Sequence, residues 1–177
     1  MDGKIFTLRS SIDKTAYNVV QLLVKNGLKL STAESCTGGL ISAAITGVSG
    51  SSDVFDEGIC TYANSAKMKY LGVSEEILES CGAVSEETAL AMAEGMAKQS
   101  GSDIAVSVTG IAGPTGGTTE KPVGTVYVGL FVRGRVQARL VYTNPLESDG
   151  NAREFIRLST VLAALEWIES ELYSIKA

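Results

Sequence analysis

Apolar residues recur at helical spacing in the first part of the chain and alternate with short β-rich runs. From Ile12 to Lys25 they repeat every three or four residues, and Asn26-Gly27 supplies a C-terminal stop, which predicts a first helix. Leu28 to Ala33 predicts a short strand, and the small-residue run Leu40 to Ile45 predicts a helix packed closely on a sheet. Ser35 therefore falls at a strand-to-helix junction.

The middle of the chain continues this alternation. Val54 to Tyr62 predicts a second strand, and Ser65 to Tyr70 predicts a short helix after it. Ser74 and Ser85 each precede two glutamates, so each serine can accept from free amides while the acids complement the helix dipole. Two more helices are therefore expected, the longer of which reaches about Gln99.

The next segment predicts a buried strand, a long loop and a hairpin. Ile104 to Val108 is compact and apolar, as expected of a strand covered on both faces, and it leads into a glycine-rich loop from Thr109 to Pro122. Gly124 to Val132 and Val136 to Thr143 are β-rich runs joined by Arg133-Gly134-Arg135. They predict an antiparallel hairpin with a positive φ at the central glycine.

The chain ends with helical spacing from Arg153 to Tyr173, so helices alternate with strands along its length. This order predicts one domain over residues 1–177, folded as a three-layer α/β/α sandwich with a mixed, mostly parallel sheet and one antiparallel hairpin. Ligands of such folds bind beyond the carboxyl ends of the parallel strands. We therefore expect the Ser35 turn and the Thr109 loop to lie together there.

Composition narrows the chemistry. The chain is 45% hydrophobic and its formal charge is −5, so it has a core-forming composition but no electrostatic footprint for nucleic acid or an anionic membrane. It shows neither a signal peptide nor an apolar run long enough to span a membrane, so the cytoplasm is expected.

Cys36, Cys60 and Cys81 form no disulfide or zinc pattern and are expected to be reduced. Histidine is absent, which excludes histidine-dependent triads and zinc sites.

The densest cluster of hydroxyl and thiol side chains is Ser31-Thr32-Ala33-Glu34-Ser35-Cys36-Thr37-Gly38-Gly39. Backbone amides beside glycines at a helix N-terminus suit a phosphate or an oxyanion. A structural interpretation is equally open, in which the side chains cap the helix and the glycines allow close packing. The segment lacks GxxxxGK[ST] and GxGxxG, which disfavours an ordinary ATPase or Rossmann dehydrogenase.

A catalytic serine needs a base, and without histidine the nearest candidates are Tyr62, Lys67 and Glu34, each with a shifted pKa. The lysine could deprotonate Ser35 directly or through the tyrosine; alternatively, Tyr62 fills space and Lys67 is a solvated charge. Cys36 is intrinsically the better nucleophile but needs a depressed pKa, so it ranks below Ser35. Glu34 either orients Lys67 or a ligand hydroxyl, or it caps the helix.

Two further segments are candidate ligand contacts. The loop from Thr109 to Pro122 carries more glycines and hydroxyls than a simple connection needs, and loops of this length are often functional. Arg153 and Arg157 lie one turn apart on the last predicted helix, where they could clamp a phosphate. Such a surface pair is more often only solvated.

Five segments are informative together: Ala33 to Gly39, Gly50-Ser51-Ser52, Tyr62 to Lys67, Gly82 to Ser85, and Thr109 to Pro114. In this order and spacing they resemble the CinA C-terminal domain family. The resemblance implies a nicotinamide-mononucleotide deamidase, which converts that nucleotide and water to nicotinic acid mononucleotide and ammonia in pyridine-nucleotide salvage. It implies no metal and no organic cofactor. Many members carry a larger N-terminal domain with a separate nucleotide-cleaving activity, which is not expected for this chain.

The resemblance also implies roles for individual residues. Ser35 would be the nucleophile, with Tyr62 and Lys67 as the basic relay, and amides near Thr37 to Gly39 or in the second loop would stabilise the oxyanion. Candidate substrate contacts are Glu34, Cys36, Thr37, Gly38, Gly39, Thr109, Gly110, Ala112, Gly113 and Arg153.

The expected partner is a small-molecule nucleotide substrate, without nucleic acid or membrane. The sequence leaves the oligomeric state open, and a homo-oligomer is compatible with it. Two other functions are also open: a non-catalytic nucleotide- or partner-binding module related to competence or DNA damage, and a general amidase acting on another small amide.

Overall fold

The computed structural model describes residues 3–148 and 150–175, so the predicted domain over residues 1–177 extends slightly beyond what is described. Its helices and strands follow one another in this order: α1 (Gly3–Asn26), β1 (Leu30–Glu34), α2 (Leu40–Thr46), β2 (Phe55–Cys60), α3 (Asn64–Leu71), α4 (Glu75–Ser80), α5 (Glu86–Ser100), β3 (Ile104–Gly110), β4 (Thr125–Val132), β5 (Arg135–Tyr142) and α6 (Ala152–Ser174). Short 3₁₀ turns occur at Ser51–Asp53 and Pro145–Glu147.

The five strands form one sheet in the order β2-β1-β3-β4-β5. β1 pairs in parallel with β2 and with β3, whereas β4 runs antiparallel to both β3 and β5. Helices α1, α2 and α6 contact one another on one face, while α5 packs on the opposite face with α3 and α4 beside it. The predicted three-layer α/β/α sandwich with a mixed sheet and one hairpin is confirmed.

Alternating residues of the central strands supply a core to each face of the sheet. Leu30 and Val106 are fully buried in the larger core with residues of α1, α2 and α6. Ala33 and Ala105, which face the other way, are buried in a smaller core against Met92 and other residues of α5. Both faces of β1 and β3 are therefore covered, and every residue of these strands except Gly110 is buried, including the polar residues of β1.

Some boundaries differ from the sequence-based expectation. α1 begins at Gly3 rather than at Ile12, because Ile5 and Leu8 continue the helical spacing and pack against the larger core. β3 continues through Gly110, which pairs with Val126 of β4. Two residues assigned to the long loop are thus strand residues, and the loop starts after them.

The predicted local signals are confirmed at three places. Ser74 and Ser85 accept hydrogen bonds from the amides of Ile77 and Thr88, which caps α4 and α5. Gly134 has a φ of 91° in the β4–β5 turn, as the hairpin requires.

In the described ranges, no helix is both long and apolar enough to cross a membrane.

The contact between α3 and α5 depends on Gly95. A Cβ atom added at this position would lie 1.9 Å from the backbone oxygen of Leu71, the last residue of α3. No backbone atom can approach a side-chain carbon so closely, so α3 can lie at this distance only because position 95 is glycine. Since α3 also carries Lys67, this packing fixes the position of the candidate base.

We predict that Gly95→Ala destabilises the protein by about 1–3 kcal/mol, because the strain of overpacking exceeds the gain of about 1 kcal/mol in helix propensity. Gly3→Ala is the matched control, since Gly3 is also helical but an added Cβ meets nothing within 4 Å. Urea unfolding of the two variants and the wild type measures the difference. Equal or greater stability of Gly95→Ala would show that α3 and α5 separate at no cost.

Candidate active site

Three chain segments meet at the carboxyl edge of the sheet. β1 ends at Glu34 and continues into the turn that begins with Ser35, whose amide donates to the carbonyl of Val108 in β3. On the other side, the amide of Thr61 donates to the carbonyl of Glu34 and extends the pairing of β2 with β1. The predicted convergence of the Ser35 turn with the end of β3 is confirmed, and the end of β2 joins them.

Lys67 and Ser35 form a buried pair. Lys67 lies in α3 and is only 1% exposed, and its Nζ atom lies 3.2 Å from Ser35 Oγ. The same nitrogen lies 2.8 Å from the carbonyl oxygen of Thr61 and 3.3 Å from that of Tyr62. The amine therefore has three polar neighbours, of which two can only accept hydrogen bonds.

Burial shifts the acid–base balance of this lysine. Loss of water around the side chain lowers the pKa of Lys67 below its ordinary value of 10.5, because burial disfavours the charged ammonium. In the neutral state the amine has two N–H groups and one lone pair. The two carbonyls account for the N–H groups, so the lone pair is left for the hydroxyl of Ser35, which is the geometry a general base requires.

Tyr62 has a different position from the one expected of a proton relay. Its side chain is 64% exposed, and its phenol accepts a hydrogen bond from Arg153 at 3.1 Å. It contacts Lys67 through its backbone carbonyl. Because Lys67 contacts Ser35 directly, the direct route left open by the sequence fits this geometry, and the route through the phenol does not.

Glu34 is buried completely, and its carboxylate is bound by the start of α2. One oxygen accepts from the amides of Gly39 and Ile41 at 3.0 and 3.1 Å, and the other accepts from the amide and hydroxyl of Ser42 at 2.9 and 2.8 Å. The residue has no accessible surface in this arrangement, so nothing here supports the expected contact of Glu34 with substrate, which stays a prediction. It caps α2, which fixes the turn containing Ser35.

Cys36 is buried beside Ser35, and its thiol is a poor nucleophile in this position. Burial raises the pKa of Cys36 to about 11, and the backbone hydrogen bond and the charges of Arg157 and Arg153 only partly oppose this rise. The reactive species of cysteine is the thiolate, so this thiol remains protonated near neutral pH. The ranking of Ser35 above Cys36 thus has a physical basis in the structure.

Some backbone amides of the turn after Ser35 already donate to protein acceptors, and others do not. The amide of Gly38 donates to the carbonyl of Ser35 at 3.0 Å, and that of Gly39 donates to Glu34, so neither can bind an oxyanion. Among the described residues, the amides of Cys36 and Thr37 donate to no other backbone or side-chain group. Of the amides between Thr37 and Gly39 that are expected to bind an oxyanion, only that of Thr37 has no protein acceptor, and the amide of Cys36 also has none. The amides of the second loop stay an open alternative.

Arg157 and Arg153 of α6 bind this region from one side. Arg157 donates to the carbonyl oxygens of Cys36 and Thr37, at 3.1 and 2.7 Å. Because N–H and C=O point in opposite directions in a trans peptide, binding of the Cys36 carbonyl directs the Thr37 amide away from α6. Arg153 donates to the carbonyl of Gly113 and to the Tyr62 phenol. Both guanidinium groups are thus engaged by protein atoms rather than free to clamp a phosphate.

The remaining predicted contacts lie along the end of β3 and the following loop. Thr109 is buried and its hydroxyl donates to the carbonyl of Ala83, so it supports the chain before α5. A Cβ at Gly110 would lie 2.6 Å from a methyl group of Val126, which makes this glycine a packing requirement. Ala112 and Gly113 follow at the same edge and are buried. A substrate contact by these residues stays a prediction.

Two features near the pair were missed by the sequence analysis. The hydroxyls of Thr37 and Thr61 are fully buried and have no hydrogen-bond partner among the described residues. The contact of Arg157 with the turn joins residues about 120 positions apart. Neither feature has a local signal, since threonine after a strand and arginine on a helix are both common.

The fold and the site define an α/β protein with a buried serine–lysine pair at the carboxyl edge of its sheet. The chain belongs to the CinA C-terminal domain family, because the sequence model of that family matches residues 12–172. A CinA-like protein from Kosmotoga olearia is 53% identical over 154 residues, which cover 87% of this chain and 36% of that protein. A CinA-like protein from Geotalea daltonii gives the same identity and coverage. The chain thus spans about a third of the length of these curated relatives.

Solved structures agree with the fold. The competence/damage inducible protein CihA from Agrobacterium tumefaciens superposes with a TM-score of 0.85 at 46% identity, covering 92% of this chain and 96% of that one. The competence damage-inducible protein A from Klebsiella pneumoniae gives a TM-score of 0.86 at 32% identity, covering 93% and 99%. These names refer to competence and damage induction and specify no chemical reaction.

We predict that Glu34→Gln destabilises the fold by about 1–3 kcal/mol, because the amide nitrogen of glutamine replaces an acceptor that faces N–H donors of α2. Glu86→Gln is the control, since Glu86 lies in the first turn of α5 but is exposed, and it should change stability little. Urea unfolding compares both variants with the wild type. Similar midpoints for the two variants would contradict the capping role of Glu34.

Proposed function

We propose that this protein is an amidohydrolase that converts nicotinamide mononucleotide and water to nicotinic acid mononucleotide and ammonia. The observation that carries the proposal is the 3.2 Å separation of Lys67 Nζ from Ser35 Oγ, both buried, in a chain without histidine. Membership of the CinA C-terminal domain family, which resembles such deamidases, supports the choice of substrate.

Acylation begins at Ser35. Neutral Lys67 takes the hydroxyl proton while Ser35 Oγ bonds to the carboxamide carbon, which forms a tetrahedral intermediate and a lysine ammonium. The carbon–nitrogen bond then breaks, and the leaving nitrogen takes the proton from Lys67 and departs as ammonia. Lys67 thus acts first as base and then as acid, and it ends this half of the reaction neutral.

The oxyanion of the intermediate needs donors that are already oriented. The amides of Cys36 and Thr37 serve this purpose, since they adjoin Ser35 and no protein acceptor occupies them among the described residues. Arg157 binds the carbonyls on the opposite side of the turn. This contact holds the turn in its orientation and adds a positive charge beside it. Removal of one such donor typically costs about 10²–10³ in kcat.

Deacylation repeats the same proton transfers with water. Lys67 takes a proton from water as the water oxygen bonds to the acyl carbon, and the proton then returns to Ser35 Oγ as the acyl group leaves. The products are the regenerated hydroxyl and the carboxylic acid, which loses its proton to solvent and leaves as the carboxylate. All bonds that form and break in these steps lie on Ser35, Lys67, the substrate and water.

The charge distribution suits an anionic nucleotide. The whole chain has a formal charge of −5, yet Arg153 and Arg157 both reach this edge, and the nearby Glu34 is buried against α2 amides. A local concentration of positive charge attracts a phosphorylated substrate even where each guanidinium already binds a carbonyl. This feature favours the mononucleotide over its fragments that lack the phosphate.

We predict that the purified protein releases ammonia from nicotinamide mononucleotide in the presence of a chelator. Ser35→Ala should lower kcat/KM by at least about 10³-fold, since it removes the nucleophile. Nicotinamide and its riboside should react more slowly than the mononucleotide because they lack the phosphate. A coupled ammonia assay measures all four reactions.

Two results would contradict this prediction in different ways. Absence of turnover by the wild type, with tight binding of the nucleotide, would favour a non-catalytic nucleotide-binding module. Equal rates on the riboside and the mononucleotide would favour an amidase of wider range. Ser102→Ala is a suitable control for the serine substitution. Ser102 is also buried, but its hydroxyl contacts Asp56 at the opposite end of the strands from Ser35.

We also predict an ascending pH–rate profile. The active form carries neutral Lys67, so kcat/KM rises with pH through the pKa of this lysine and then levels off. Because burial lowers the pKa of Lys67, the midpoint should lie below 10.5. Steady-state rates across the pH range give the midpoint.

The matched variants for this profile are Lys67→Arg and Lys98→Arg. Arginine cannot lose its proton in a protein, so Lys67→Arg should abolish both the activity and the ascending limb. Lys98 is an exposed residue of α5, and its replacement should leave the profile unchanged. An unchanged limb in Lys67→Arg would assign the base to another group.

A further inference from the structure

Thr61 has a buried hydroxyl without a partner. The residue is 0% exposed, and its Oγ1 atom neither donates to nor accepts from any group in the part of the chain that the structure describes. Such a group is costly to keep, since nearly all buried polar atoms in folded proteins have a hydrogen-bond partner. Valine has almost the same shape and would avoid this cost. The hydroxyl therefore requires a reason beyond folding.

The side chain of Thr61 lies on the same face of the sheet as the side chain of Ser35. Cys60 pairs with Glu34, and its sulfur lies 3.4 Å from the position of a Cβ added at Gly39, on the α2 face. Successive residues of a strand point to opposite faces, so Thr61 points to the other face. Ser35 follows Glu34 in the same way, and Lys67 reaches it from α3 on that face.

Thr61 is also bound directly to the amine. Its carbonyl oxygen lies 2.8 Å from Lys67 Nζ, the shortest of the three polar contacts of this nitrogen. Oγ1 and the carbonyl oxygen belong to one residue, so the hydroxyl is carried by the same residue that already binds the amine, although Oγ1 makes no hydrogen bond in the resting arrangement. The hydroxyl of Thr37 is orphaned too, but none of the three contacts of Lys67 involves Thr37.

The proton transfers of the proposed reaction create a need for such a partner. While Lys67 is neutral, its lone pair faces the Ser35 hydroxyl and its two N–H groups face the carbonyls. Once the serine proton has moved to Nζ and Oγ has bonded to carbon, the ammonium has three N–H groups. Ser35 Oγ is then bonded to carbon and is a weaker acceptor. Until the leaving group takes this proton, one N–H of a buried cation would be left poorly satisfied.

We propose that the Thr61 hydroxyl is a positioning group for Lys67, which accepts an N–H of the ammonium while each tetrahedral intermediate is present. This inference rests on the serine–lysine chemistry of the proposed function but not on the identity of the amide. In the resting protein the hydroxyl is unpaired because its partner is the ammonium formed during turnover. It thereby stabilises the charged intermediate of both acylation and deacylation.

The test compares Thr61→Val, Thr61→Ser and a control, Thr160→Val, in the full chain. Thr61→Ser retains the hydroxyl, whereas Thr61→Val removes it and preserves the shape. Thr160 is equally buried but its hydroxyl already donates to the carbonyl of Ile156 at 2.8 Å in α6. The probe is p-nitrophenyl acetate, which reports acylation as a burst of p-nitrophenol and deacylation as the steady phase. Thermal unfolding and intact-protein mass spectrometry accompany the kinetics.

Thr61→Val should unfold at the wild-type temperature or above it, because it loses an unpaired buried hydroxyl. Both kinetic phases should nevertheless slow by roughly 10- to 100-fold, the effect of one lost hydrogen bond to a charged group, with KM nearly unchanged. Thr61→Ser should restore most of the rate. Thr160→Val should keep the wild-type rates, whatever it does to stability.

Several results would overturn the inference. Wild-type rates in Thr61→Val, or equal slowing in Thr61→Ser, would show that the hydroxyl is dispensable. A change confined to KM would assign it to substrate binding, and a fall in unfolding temperature that accounts for the lost rate would assign it to folding. Absence of an acetyl adduct on wild-type Ser35 would overturn both proposals. Turnover of the ester without turnover of nicotinamide mononucleotide would overturn only the proposed substrate.

Discussion

The burial of the Lys67 amine between one hydroxyl and two backbone carbonyls is the constraint on which the site depends. Without water, the ammonium is disfavoured, and the lone pair of the neutral amine lies toward Ser35 Oγ at 3.2 Å. In the proposed reaction, this arrangement takes the place of the imidazole that the sequence lacks. It exists only because three strands end at one edge and α3 packs closely on α5 through Gly95.

The turn that carries Ser35 is fixed from two sides by groups of opposite charge. Glu34 binds the amides at the start of α2, and Arg157 binds the carbonyls of Cys36 and Thr37. The remaining amides of the turn are thereby left free and oriented next to the nucleophile. Preorganised donors of this kind are effective because they need no rearrangement when negative charge develops.

The sandwich and the Ser35 turn could be predicted because hydrophobic spacing and glycine positions are local properties of the chain. Lys67 was selected by the absence of histidine and by the family resemblance, while its burial depends on how α3 packs on α5. The role of Glu34 was undecided, since a carboxylate before a helix can cap it or bind a ligand. The contacts of Arg157 and the orphaned Thr61 hydroxyl arise from segments distant in sequence, and no local pattern encodes them.

The proposed function depends on a covalent acyl intermediate at Ser35. Acid quenching during turnover of nicotinamide mononucleotide, followed by peptide mass spectrometry, should locate a nicotinoyl-nucleotide adduct on Ser35, and Ser35→Ala should carry none. An adduct on Cys36, whose buried thiol has its pKa raised to about 11, would contradict the account. So would rapid turnover by Ser35→Ala, because the reaction would then proceed without the serine nucleophile.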